Sequence, residues 1–316
     1  MRAKQYFIIF IICLLNISVK SSEISDEVSP EIFDSLSVEA SALGVETSLQ
    51  KKISGYPVIA DEWMIVTANA YASIAGAEIL KDGGTAADAM VAAQTVLGLV
   101  EPESSGLGGG GFLVWYDSNT KQVTTLDGRE TAPLSSQVSQ FQNKDGESMK
   151  FFEAVIGGLS VGTPGIPALM FEAHKKWGNK QWGQLFAYGI GLSENGFMVS
   201  NKLASSIQRD LERLKTFQAT RDYFMPGNLP LNNGDIIKNQ DYGDTLQKIA
   251  SSGIDEFYLG NIADDIIDTV KHAKNNPGYL QKEDLKNYKV IERKPICINY
   301  KIYDICGMGP PSSGGI

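Results

Sequence analysis

Apolar side chains recur at helical spacing over residues 69–81, where Ala70, Ile74, Ala77 and Leu80 share one face, and again over 85–100, where Ala89, Ala93, Val96 and Val100 do so. Asp82-Gly83-Gly84 separates the two, since glycine takes the left-handed conformation that ends a helix. Thr85, with Asp88 three residues on, makes a capping-box start for the second helix. The alanines allow close backbone approach, so the pattern predicts a tight helical hairpin laid on a sheet, preceded by a short strand at 64–68. The period then changes. Residues 111–116 and 122–126 read as strands, and the turn residues 117–121 between them make a β-hairpin. A polar stretch over 134–150 lacks periodicity and reads as a surface excursion. Helical spacing returns at Thr163, taken as an N-cap with Pro164 at the first helical position, and runs to Trp177 before Gly178. Further helices are predicted over 182–194, 201–215 (with Leu203, Ile207, Leu211 and Leu214 inward), 243–251 and 262–274. A turn-rich loop covers 226–235, and a second β-hairpin covers 295–306. No repeat or long linker divides the body, which predicts one folded unit of mixed α/β class.

The first residues follow another logic. Arg2 and Lys4 precede an apolar run over 6–15, and polarity returns with Asn16, Ser18 and Lys20. This is the pattern of a secretory signal, with cleavage expected after Ser21. The run is too short to cross a bilayer as a helix, which takes about 20 residues, so no stable membrane insertion is expected. Cys13 lacks the small neighbours of a lipid-anchor site. Residues 22–50 are polar, acidic and poor in aromatics, a flexible leader before the folded body at 51–316.

The chain of 316 residues, 43% of them hydrophobic, is long enough for a substantial core. Loss of residues 1–21 removes three positive charges and leaves 25 basic against 37 acidic residues, a net charge of −12. Such a surface repels phosphate backbones, which argues against nucleic acid as a partner. Cys297 and Cys306 match no zinc spacing and fix no disulfide framework, so free thiols are the expected state and their pairing stays open. His174 and His272 stand apart from each other and from the cysteines. Both are expected on helix surfaces, and neither a metal site nor a cofactor is predicted.

Chemistry concentrates in residues 101–133, EPESSGLGGGGFLVWYDSNTKQVTTLDGRETAP. Residues 106–111 formally satisfy G-x-G-x-x-G, but a helix enters and a strand leaves, the reverse of the order that brings a helix N-terminus to a pyrophosphate. A nucleotide site is therefore rejected, and the glycines are read as a sharp turn at positive φ rather than a ligand contact. The second strand ends by presenting Arg129, whose planar fork of donors suits a small carboxylate. From these residues alone, a simple pairing of Arg129 with Asp127 or Glu130 is an equal alternative.

Taken together, several pieces in order carry a family resemblance: DGGTAADAMVAA from Asp82, EPESSGLGGGGF from Glu101, LDGRETAP from Leu126, VGTPGIPA from Val161, the KWG and Trp182 pair before LSENGFMVS, and the closing PPSSGG. The chain resembles the γ-glutamyltransferase (γ-glutamyl transpeptidase, glutathione hydrolase) family of N-terminal nucleophile hydrolases. The resemblance implies an αββα sandwich, an α+β fold with two β-layers between helical layers. It also implies cleavage of γ-glutamyl amides such as glutathione, with transfer to water or an amino acid. Family members cut themselves into a large and a small subunit, and the new N-terminal threonine attacks, with its own amine as base and backbone amides holding the oxyanion. Arg129 matches the arginine that grips the donor α-carboxylate, with Asp127 and Glu130 positioning it.

The nucleophile, the acidic residue for the substrate amine and the oxyanion residues follow PPSSGG in the family. The expectation is that residues 51–316 are a large-subunit region and that the nucleophilic threonine belongs beyond Ile316. No catalytic residue is therefore assigned within the chain, and a small subunit is the expected partner. Periplasmic or extracellular location goes with the signal pattern. Two other readings stay open: a non-catalytic exported binder of γ-glutamyl compounds, and an acylase or poly-γ-glutamate hydrolase of the same fold.

Overall fold

The computed structural model describes residues 53–315 together with Ser48, Gln50 and Lys51. The expected signal peptide and nearly all of the leader lie outside these residues. So does Ile316, the residue beyond which the nucleophilic threonine is expected, and the description stops at Gly315 within a short 3-10 turn (Ser313–Gly315). Residues 64–68 form no strand and pair with no described strand, so the expected strand is absent there. A strand needs a neighbour to hold its backbone groups, and this run meets the side of a helix instead: Ile65 packs against Gly76.

Helix α1 (Ala70–Lys81) is capped by Asn69, whose side chain accepts the Tyr71 N–H at 3.1 Å. Helix α2 (Ala86–Val100) starts with the predicted capping box: Thr85 Oγ1 accepts from the Asp88 N–H at 3.2 Å and Asp88 Oδ2 from the Thr85 N–H at 2.8 Å. The two form the expected close hairpin. A methyl at Gly76 would lie 3.0 Å from the Ala89 carbonyl. The hairpin lies against other helices, however, and not on a sheet. Val91 belongs to one apolar core while Ala92, Ala93, Val96, Leu99 and Val100 belong to a second, which explains why α2 is apolar nearly all round.

Strands β1 (Gly111–Asp117) and β2 (Gln122–Gly128) pair antiparallel in the register Leu113↔Leu126, around a turn with Lys121 at φ 58°. A short helix α3 (Phe151–Val155) follows the surface excursion, and α4 (Ile166–Trp177) packs its Leu169 against Gly128. Trp115 of β1 stacks on Trp177 of α4, with centroids 4.6 Å apart. Thr163 does not cap α4. Gly165 holds that position, and the buried Thr163 bridges to Thr131, its N–H donating to the Thr131 carbonyl at 2.8 Å.

The remaining helices form the second flank. A 3-10 turn (Trp182–Phe186) runs into α5 (Ala187–Asn195), and β3 (Phe197–Met198) follows. The expected single helix over 201–215 breaks at Asp210 into α6 (Asn201–Arg209) and α7 (Leu211–Leu214), and α8 (Gln218–Phe224) comes next. Strand β4 (Ile236–Ile237) pairs with β3. Helices α9 (Gln240–Ser252), α10 (Asp255–Tyr258), α11 (Asn261–Lys271) and α12 (Lys282–Lys286) lead to β5 (Ile291–Arg293).

Strand β5 joins the far side of β2, giving a three-stranded sheet in the order β1-β2-β5. β2, at its centre, is the buried strand, with Thr125, Leu126 and Asp127 all inside. The fold is α+β, as expected. Strands β6 (Ile296–Tyr300) and β7 (Tyr303–Gly307) make the predicted second hairpin, turning at Lys301. Cys297 and Cys306 face each other across it and are joined as a disulfide, which corrects the expectation of free thiols. Register decided this: two cysteines nine apart around a tight turn are brought opposite, with Cα atoms 4.1 Å apart. Among the described residues no helix is long and apolar enough to cross a membrane.

Candidate active site

A cleft of about 670 Å³ opens between the middle of α2, the Gly-rich turn, the adjoining ends of β1 and β2, and the start of α4. Arg129 and Glu130 lie in its wall, with Phe112, Glu103 and Ser105. Strand β2 delivers Arg129 one residue past its end. The Arg129 N–H donates to Asp127 Oδ1 at 3.0 Å, and the Arg129 carbonyl accepts from the Tyr288 hydroxyl at 2.8 Å. Asp127 is itself anchored by Arg293 Nε of β5 at 2.8 Å. The guanidinium, about half exposed, donates through Nη1 to the Gly110 carbonyl at 3.0 Å and pairs through Nη2 with Glu130 Oε2 at 3.0 Å. Its Cζ stands 5.8 Å from the centre of the Phe112 ring.

The pairing alternative for Arg129 is realised with both acidic neighbours. Asp127 takes the backbone N–H and Glu130 the side chain. Arginine has five N–H donors, and these contacts occupy one terminal nitrogen each, so among the described residues a donor remains on both for the two oxygens of a carboxylate.

The glycines at 106–111 depart from expectation. None has a positive φ. All five line the cleft, and close approach requires one of them: a methyl on Gly110 would lie 2.6 Å from Glu130 Oε2, 2.7 Å from the Glu130 nitrogen and 2.8 Å from Arg129 Cα. The Gly109 carbonyl accepts the N–H groups of Gly165 at 2.8 Å and Ile166 at 3.1 Å, which ties the turn to two otherwise orphaned donors at the start of α4.

The other wall hangs on Glu101, the residue that ends α2. It is 2% exposed, pairs with Lys202, and accepts from Asn69 Nδ2 at 3.2 Å. Its carbonyl receives the N–H groups of Ser104 and Ser105, both at 3.0 Å. Lys202 also reaches Glu103 at 3.5 Å. Burial pushes the Glu103 carboxyl above its usual range, the Glu101 charge pushes the same way, and Lys202 opposes both. Burial pulls Lys202 down, but its hydrogen bond to Glu101 and the charges of Glu101 and Glu103 outweigh this and raise it.

His174 is not on a helix surface. It is tucked beside Trp182, with Nε2 2.8 Å from the Lys180 carbonyl and 3.6 Å from the buried Asp88. His272 is exposed beside Asp268, as expected. Among the described residues no group of three His, Cys, Asp or Glu side chains gathers to hold a metal. Sequence reasoning missed Tyr288, Arg293 and Lys202, which come from segments far along the chain and announce themselves by no motif.

The family model for Gamma-glutamyltranspeptidase matches residues 72–316. The chain is 40% identical over 258 residues to the glutathione hydrolase proenzyme of Bacillus subtilis (strain 168), covering 82% of this chain and 43% of that protein. It is 35% identical over 264 residues to that of Escherichia coli (strain K12), covering 83% and 44%. The crystal structure of Helicobacter pylori gamma-glutamyltranspeptidase superposes with a TM-score of 0.78 at 35% identity, covering 82% of this chain and 73% of that one. The chain therefore spans less than half the length of the curated relatives it matches. With the family model extending over most of its residues, through Ile316, this chain belongs to the gamma-glutamyltranspeptidase family.

Proposed function

We propose that this chain is the donor-binding portion of an exported γ-glutamyltransferase and glutathione hydrolase, and that Arg129 holds the α-carboxylate of the γ-glutamyl donor. The observation that carries this reading is the cleft in which Arg129 is fixed from both ends of its residue while each terminal nitrogen keeps a free donor. A carboxylate received there by two parallel N–H bonds is fixed in direction as well as place. The γ-carbonyl of the same donor then lies roughly 5 Å further along the extended glutamyl chain, so the cleft accommodates the whole group. The nucleophilic threonine and the oxyanion amides belong to a catalytic portion, the small subunit, which pairs with this chain and whose sequence follows the position of Ile316 in the family order. Water or an amino acid takes the γ-glutamyl group. The charged amino-terminal pattern and the Cys297–Cys306 disulfide both favour an oxidising, exported location.

The chain alone is expected to release no p-nitroaniline from γ-glutamyl-p-nitroanilide, and co-production with the catalytic portion is expected to give turnover. In that complete enzyme Arg129→Lys keeps the charge and loses the fork. Its donor KM should rise about 10-fold or more, the worth of a charge-assisted hydrogen bond, with kcat changed far less. Turnover by the chain alone contradicts the division of labour, and an unchanged KM contradicts the role of Arg129.

A further inference from the structure

We propose that Tyr288, which lies behind the cleft wall, is a positioning residue for Arg129, aiming its guanidinium by holding the carbonyl of the same residue. This rests on Arg129 being the donor-carboxylate group. The Tyr288 hydroxyl donates to the Arg129 carbonyl at 2.8 Å, while Asp127 takes the Arg129 N–H, so the peptides on both sides of the residue are fixed. Nothing about a strand end requires the first of these bonds. A carbonyl one residue past the last sheet pairing is free to turn, and the side chain turns with it.

Tyr288 is itself held firmly. Its ring stacks on Tyr258, with centroids 5.8 Å apart and planes within 7°. The Tyr258 hydroxyl donates to the Pro164 carbonyl at 2.8 Å and accepts the Ala168 N–H at 3.3 Å. The tyrosine pair therefore spans the seam between the end of β2 and the start of α4, the two elements that meet at the cleft. Gly165 sits in that seam with no room for a side chain: a methyl there would lie 2.0 Å from the Gly128 carbonyl and 2.2 Å from the Tyr288 hydroxyl. From behind, α12 leads directly into Tyr288, and its Asp284 accepts the Leu134 N–H at 2.7 Å, so the segment carrying Tyr288 is also tied to the chain just past Arg129. Burial pushes the phenol up to about 12, the charges of Asp127 and Glu130 push the same way and Arg129 opposes them, so the hydroxyl keeps its proton at physiological pH.

The test uses the complete enzyme and two donors, γ-glutamyl-p-nitroanilide and 4-aminobutanoyl-p-nitroanilide, which lacks the α-carboxylate. Tyr288→Phe keeps the ring and its stack. It should raise KM for the first donor about two- to tenfold, the worth of one hydrogen bond, leave kcat nearly unchanged, and leave kcat/KM for the second donor unaltered. Combined with Arg129→Ala it should add nothing further, the mark of two residues acting as one. Tyr258→Phe, which lies in the same stack without touching Arg129, controls for loss of packing and should affect both donors alike. Equal effects of Tyr288→Phe on both donors, or additive losses in the double variant, would reduce Tyr288 to a packing residue and overturn the inference. An Arg129→Ala enzyme with unchanged KM would instead remove the reading beneath it.

Discussion

Gly110→Ala perturbs the site at the tightest approach of its two strands. The added methyl would meet Glu130 Oε2, the Glu130 nitrogen and Arg129 Cα at 2.6, 2.7 and 2.8 Å. Two of these three atoms are backbone, so rotation of a side chain cannot relieve the clash. Ordinary contact begins near 3.4 Å, and the start of β1 must therefore retreat from the end of β2 by about 0.6–0.8 Å. Overpacking of this kind costs about 1–3 kcal/mol. The same retreat lengthens the bond from Arg129 Nη1 to the Gly110 carbonyl, and misplacement approaching 1 Å costs up to about 100-fold in rate. Gly108 is the control, since a methyl there meets nothing within 4 Å and its φ is not positive. Gly108→Ala should leave thermal unfolding unchanged or raise stability by about 0.4–1 kcal/mol through the unfolded chain. Thermal unfolding and donor kcat/KM of the two variants in the complete enzyme decide the matter. A Gly110→Ala protein as stable and as active as the parent would refute the close-approach account of Gly110.

Lys202→Met leaves Glu101 buried without its cation, which should cost about 2–4 kcal/mol in urea unfolding, somewhat under the value for a fully enclosed pair because Lys202 is partly exposed. Because the folded-state pKa of Lys202 is raised, its contribution is complete below 10.5 and is lost as pH rises through the raised value, so the parent should lose stability above that pH more steeply than the variant; parallel curves would exclude the ion pair as the cause. The chain by itself should self-associate, because the β6–β7 hairpin exposes Ile298, Tyr300, Ile302, Tyr303 and Ile305 and the β1 edge is unpaired in the described residues. Size-exclusion chromatography with and without the catalytic portion checks this, and a monodisperse, cooperatively unfolding monomer would contradict it.

What was legible in the sequence was local. The Thr85–Asp88 box, the Asp82-Gly83-Gly84 stop, the 111–128 hairpin and the second hairpin within 295–306 are each decided within a few residues, and each stands as read. The failures came from tertiary context. Helical spacing over 201–215 concealed the break at Asp210, and Thr163-Pro164 offers a fair cap that the chain declines because Thr163 is drawn into a bridge with Thr131. The run at 64–68 has strand composition without a strand partner. The glycine turn was assigned to positive φ, whereas Gly110 is demanded by the nearness of Arg129 and Glu130, which strand register places beside it. The place of Arg129 just past the end of β2 was legible because the strand pattern before it is local. Tyr288, Arg293 and Lys202 were not, since their partners lie 159, 166 and 101 residues away in the chain.

The central claim is that the Arg129 guanidinium receives the α-carboxylate of a γ-glutamyl group. A crystal structure of the complete enzyme with L-glutamate bound tests it most directly. The account predicts both carboxylate oxygens within about 3 Å of the Arg129 terminal nitrogens, with Glu130 and the Gly110 carbonyl still in place behind them. Glutamate bound with its α-carboxylate on another cation, and Arg129 turned away from the cleft, would contradict it.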